Sequence, residues 1–143
     1  MLSKSTKYAL KAVLFLAVNS SENSKVMVKD IAKPINVPQA YIAKLLQKLS
    51  KENIISSSRG PKGGFYLSEG DRQHSVLSII IAIEGEKKLT NCLLNLKKCN
   101  EFKPCPLHNK ISSIRSELLQ SFGEMKIDEL SQEIKAAQAF LPL

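Results

Sequence analysis

The chain has no apolar run near the roughly 20 residues that cross a bilayer, and it contains no internal repeat and no low-complexity tract. It also lacks an acid–base pair, a Gly-rich phosphate loop and a nucleophile elbow, so nothing in it supports catalysis. Cysteine is scarce and odd in number: three residues, all between Cys92 and Cys105. That is a poor disulfide framework for a secreted protein. It suits a reducing cytoplasm, where clustered cysteines bind metal or sense redox state. One stretch has the outline of a signal peptide, because Lys4 and Lys7 precede the apolar residues Ala12 to Val18. Lys11 directly abuts them and no small-x-small cleavage site follows, so the stretch reads as a helix.

What is present points to a globular protein with a polyanionic partner. In 143 residues, 43% are hydrophobic, enough for a core without staples. Lysine and arginine number 21 against 13 acidic residues, a net charge of +8. Nucleic acid is the first candidate partner and a membrane surface the second.

The first third reads as three helices. Ser5 or Thr6 can cap the first, from about Lys7 to Asn19, with Leu10, Val13, Leu14 and Ala17 in one apolar stripe. Phe15, Leu16 and Val18 lie off that stripe, which assigns one face to the core and another to a dimer partner. Val26, Val28, Ile31 and Ala32 mark a short second helix ending near Asn36, and Pro38 suits the first turn of a third. In the third helix Ile42, Leu45, Leu46 and Leu49 face the core. Its other face carries Gln39, Ala40, Ala43, Lys44, Gln47, Lys48 and Lys51, with no carboxylate.

Two β-prone runs, Ile54 to Ser58 and Phe65 to Ser68, then flank the turn Arg59-Gly60-Pro61-Lys62-Gly63-Gly64, a hairpin with a basic tip. Val76 to Ile83 is another apolar helix, and Gly85 to Leu107 is irregular. Ile111, Ile114, Leu118, Leu119 and Phe122 give a long amphipathic helix, and a last helix runs from about Ile127 to Phe140. The expected fold is mainly α with a small β-hairpin: a winged helix-turn-helix in residues 1–70, then a cysteine loop and a long dimerisation helix in residues 71–143.

A short helix, a tight turn and a second helix with a polar, basic outer face is the arrangement that enters a major groove. Gln39 and Gln47 can bond base edges, Ala40 and Ala43 permit close approach, and Lys44 and Lys48 suit guanine or phosphate. Arg59 can enter a narrow minor groove, where negative potential is strongest. The bland alternatives are a solvated helix face and an ordinary charged turn. The conjunction of the helix pair with the basic hairpin favours a DNA reader.

Cys92, Cys99 and Cys105 are spaced C-x6-C-x5-C, with His108 three positions on. Three thiolates and an imidazole can hold zinc or an iron-sulfur cluster, and unliganded or oxidisable thiols remain open. Zinc's usual short C-x2-4-C pairs are missing. Lys97, Lys98 and Lys103 among the cysteines favour thiolates and offset a cluster's negative charge. His74 lies far along the chain and reads as a surface residue.

The segments Ser5-Thr6-Lys7-Tyr8-Ala9-Leu10, Val28-Lys29-Asp30-Ile31-Ala32, Tyr41-Ile42-Ala43-Lys44-Leu45-Leu46 and Arg59-Gly60-Pro61-Lys62-Gly63-Gly64-Phe65 closely resemble the IscR/NsrR-type family of bacterial transcription regulators. The resemblance covers nearly the whole chain. It implies a homodimer formed through the long C-terminal helix, binding to double-stranded DNA at a palindromic operator, and usually repression. The DNA contacts it implies are Lys4, Gln39, Ala40, Tyr41, Lys44, Gln47, Lys48, Arg59, Gly60, Pro61, Lys62 and Gly63. Ile111, Ile114, Leu118 and Phe122 are the residues expected in that interface, although an intramolecular core could use the same stripe. Several members of that family hold a [2Fe-2S] cluster on three loop cysteines, some completed by a histidine placed like His108, which implies Cys92, Cys99, Cys105 and His108 as ligands here. The interval from Cys92 to Cys99 is one residue longer than the common spacing. Other members take a carboxylate from the partner's first helix, but here that neighbourhood is Lys7 and Tyr8. Two cluster-free alternatives are a repressor governed by thiol oxidation or by a protein partner. A third alternative is an iron-sulfur electron carrier or enzyme, and a fourth a module whose C-terminal helices bind other chains.

Overall fold

The computed structural model describes residues 2–97 and 101–143. Helix α1 (Lys4–Asn19) begins at a cap that the apolar pattern does not reveal: Ser3 precedes it, and its hydroxyl accepts the Thr6 N–H at 3.1 Å. The helix therefore starts three residues before the expected Lys7, and Ser5 and Thr6 lie inside it. Thr6, Ala9, Ala12, Val13, Leu16 and Ala17 are buried, whereas Leu10 and Leu14 of the expected stripe are only half-buried.

Around α1 pack α2 (Val28–Ile35), α3 (Gln39–Lys51), α4 (Val76–Glu84) and α7 (Ile127–Lys135). Much of the second face allotted to a partner thus finds cover within the chain. Asn36, with φ 59°, stops α2 in the left-handed conformation, and the Pro38 carbonyl starts α3 by accepting from Tyr41 and Ile42. Ile42, Leu45, Leu46 and Leu49 of α3 are buried as their spacing requires.

Strands β1 (Ser56–Ser58) and β2 (Gly64–Tyr66) form an antiparallel hairpin with Ser57 opposite Phe65. Val26 holds it to the helices, exchanging two backbone bonds with Phe65 at 2.9 and 2.8 Å. This approach needs glycine at position 64: φ is +152°, and a Cβ would lie 2.6 Å from the Val26 carbonyl oxygen. The Arg72 side chain, 8% exposed, donates to the carbonyls of Ala17 at 2.7 Å and Ser20 at 3.0 Å and so closes the end of α1.

The rest of the chain completes the same core, which includes Ile79 of α4 and Ile127 of α7. A short helix, α5 (Glu86–Thr90), occupies part of the expected irregular stretch. Helix α6 (His108–Glu124) buries no residue fully: Ile111, Leu118 and Phe122 are half-buried and Ile114 is 60% exposed. Helix α7 ends at Lys135 rather than near Phe140, because Ala137 takes φ 55°, and Phe140 is left exposed. Among the described residues no helix is long and apolar enough to cross a membrane.

Candidate nucleic-acid interface and cysteine pocket

Burial of one α3 face leaves the other outward. Gln39, Ala40, Lys44, Gln47, Lys48 and Lys51 are exposed there, and Lys4 is exposed in the first turn of α1. Tyr41 is placed differently. It is half-buried, its ring meets Tyr8 edge-on at 5.9 Å, and its hydroxyl lies 2.7 Å from that of Ser5, so it secures α3 to α1. Lys48, exposed on the outward face, also donates its ammonium to the Ile83 carbonyl at the end of α4, at 2.9 Å.

At the hairpin tip Arg59, Gly60, Pro61 and Lys62 are exposed and Gly63 is half-buried. Between hairpin and α3 runs an open groove of about 450 Å³, lined by Gln47, Ser50, Lys51, Ser57, Ser58, Arg59, Gly64 and Phe65. Lys51 and Arg59 bring positive charge to its lining and Ser50, Ser57 and Ser58 bring hydroxyls, a chemistry suited to a phosphodiester strand.

The cysteine segment returns on itself. Cys92 is half-buried and Cys105 is 8% exposed, and their sulfurs are 3.4 Å apart across 13 residues of sequence. Disulfide sulfurs are about 2.05 Å apart, and two thiolates on one tetrahedral metal ion roughly 3.8 Å, from metal–sulfur bonds of about 2.3 Å. The pair lies between those distances, with no disulfide. His108, the first residue of α6, donates its backbone N–H to the Cys105 carbonyl at 3.0 Å. Its side chain lines the same small cavity as Cys92, Leu93, Cys105, Leu107, Ile111 and Arg115.

That cavity measures about 10 Å³, the room of roughly one water molecule. Cys99 lies outside the described residues, and among those described no three His, Cys, Asp or Glu side chains gather closely enough to hold a metal ion. The donors therefore fit a cluster in kind, but the described set alone does not form a completed site. Sequence reasoning missed Arg115, whose guanidinium donates to the Thr90 carbonyl at 3.3 Å. Its interval of seven from His108, with Ile111 between, was the available signal for a shared helix face.

A helix pair with a basic outer face, buttressed by a β-hairpin, defines a winged-helix DNA-binding transcription regulator. Residues 2–133 match the family model Rrf2, described as "Iron-dependent Transcriptional regulator". The chain belongs to the Rrf2 family.

A protein of Aquifex aeolicus classed as an HTH-type transcriptional regulator is 34% identical over 130 residues, 90% of this chain and 89% of the relative. The regulator IscR of Pectobacterium atrosepticum is 26% identical over 129 residues, 90% of this chain and 77% of the relative. Among solved structures, CymR, the global cysteine regulator of B. subtilis, superposes with a TM-score of 0.73 at 20% identity, covering 92% of this chain and 96% of that one. IscR of T. potens gives 0.72 at 20% identity, covering 99% and 93%. These structural likenesses speak to the fold. The relatives and the family are regulators, not enzymes.

Proposed function

We propose that the chain is a cytoplasmic homodimeric repressor that reads a palindromic operator, with DNA affinity set by an iron-sulfur cluster of the [2Fe-2S] type on Cys92, Cys99, Cys105 and His108. The observation that carries this reading is the meeting of Cys92 and Cys105 beside His108 at the very start of α6. The family's description as iron-dependent supports it. When bound, a cluster supplies sensitivity to oxidants and to iron supply; the imidazole, more easily protonated than a thiolate, makes it comparatively labile.

Residues 1–70 carry the reading surface: Gln39, Ala40, Lys44 and Gln47 for the major groove, and Arg59 to Gly63 with Lys4 for backbone and minor groove. Residues 71–143 carry control and dimerisation through Ile111, Ile114, Leu118 and Phe122. The cysteine segment joins α4 to α6, so its rearrangement changes how α6 meets its partner. Two recognition helices must sit roughly 34 Å apart to enter successive major grooves. A small shift of the dimer therefore weakens binding.

A second reading, control by thiol oxidation, is favoured by the 3.4 Å sulfur contact and the small cavity. Absorption spectra with iron and sulfide analysis on anaerobically purified protein separate the two. A visible band with matching iron and sulfide, lost in Cys99→Ala, is expected. Colourless, iron-free protein after reconstitution would remove the cluster and leave the thiol switch.

A further inference from the structure

Three elements meet at the last two residues of α4. The Ile83 carbonyl accepts the Lys48 ammonium of the recognition helix at 2.9 Å. The Glu84 carboxylate, its side chain 2% exposed, accepts the Ser3 N–H at 2.7 Å and the Thr6 hydroxyl at 2.6 Å, with Lys88 at 3.9 Å. Gly85, at φ 83°, then breaks the helix and begins the segment leading to Cys92.

Ile83 belongs to the final turn of α4, where carbonyls lack partners within the helix and form the negative end of its dipole. An ammonium seated there satisfies a backbone group and the helix end together. Lys48 reaches it from the exposed side of α3, so its bond works as a strut that restrains rotation of the recognition helix about its own axis. On sequence alone Lys48 and Lys44, one turn apart on the basic face, are indistinguishable. Among the described residues, only Lys48 of the two is engaged by another helix.

We infer that Lys48 is a positioning residue and not a DNA contact: bonded to the end of α4, it sets the pose of the recognition helix, while Glu84 secures the same corner to α1. Because Gly85 opens the cysteine segment, this corner is also where movement of that segment reaches α3; this last step rests on the function proposed above.

The test uses the full-length protein and a labelled duplex selected by the wild type from a randomised pool, with affinity measured across a range of salt. A lost phosphate contact lowers the slope of log affinity against log salt by about 0.9. For Lys48→Met we expect affinity to fall about two- to fivefold at every salt, as for loss of an exposed charged bond, with the slope unchanged. Lys48→Arg restores part of the affinity. Glu84→Gln, whose carboxylate faces α1, gives a parallel loss. A slope reduced by about one in Lys48→Met overturns the inference, as does wild-type affinity in either variant. Equal affinity of reduced and diamide-treated wild type sinks the thiol-switch reading instead, and the slopes still decide the role of Lys48.

Discussion

Arg72 is a costly side chain to bury, because among the described residues no carboxylate pairs with it. Its guanidinium is bonded to the carbonyls of Ala17 and Ser20, where the end of α1 supplies partial negative charge. We expect Arg72→Met to lower stability by about 2–4 kcal/mol, since it leaves buried carbonyls unmet. Thermal and denaturant unfolding measure this, and a loss near zero would remove the capping role. Glu84 gives a pH signature. Burial by itself raises its carboxyl, but bonds from Thr6 and Ser3 and the charge of Lys88 more than offset that and hold it below its ordinary value. A lowered folded value means the contribution is complete above the ordinary value of about 4.5 and disappears as pH falls through the folded one. Glu84→Gln should flatten the acid limb of a stability profile below the ordinary value of about 4.5; parallel curves for variant and wild type would refute it. Neither residue was singled out in the sequence, where each is one charge among many. His74, expected at the surface, is half-buried, with Nε2 2.9 Å from the Asn53 carbonyl oxygen.

Among the elements, the hairpin depends on a contact with Val26, some forty residues earlier. Gly64→Ala would drive a Cβ into the Val26 carbonyl at a φ that side chains rarely adopt. It should cost about 1–3 kcal/mol of local stability. Amide exchange should then show lost protection at Val26 and Phe65, with duplex affinity falling more than the unfolding temperature. Unchanged protection would mean the wing does not need this approach. The hairpin and the buried faces of α3 and α4 were legible because apolar periodicity and the Gly-Pro turn are local signals. Helix limits were less so. Ser3 rather than Ser5 or Thr6 caps α1, and Ala137 ends α7 early, because a cap depends on one backbone conformation that no periodicity records.

At the scale of the whole molecule, α6 is the one long helix among the described residues that buries no side chain fully, and its exposed Ile114 stands at the centre of the proposed dimer stripe. We expect Ile114→Glu to yield monomers in sedimentation equilibrium with little change in helical content, and to weaken operator binding about tenfold or more through loss of the paired half-site. A dimer that survives the substitution would shift the interface elsewhere. The sequence by itself determined the architecture, the basic outer face of α3 and the clustering of the cysteines, because hydrophobic period, charge and residue chemistry are properties of short stretches. Only the tertiary structure decided which side chains on those surfaces are engaged within the chain. Lys48 and Tyr41 share a helix with Lys44 and Gln39, yet they hold α3 to α4 and α1, and Cys92 meets Cys105 across thirteen residues. Such contacts depend on where helices cross, and crossing geometry is set by the packing of the complete core.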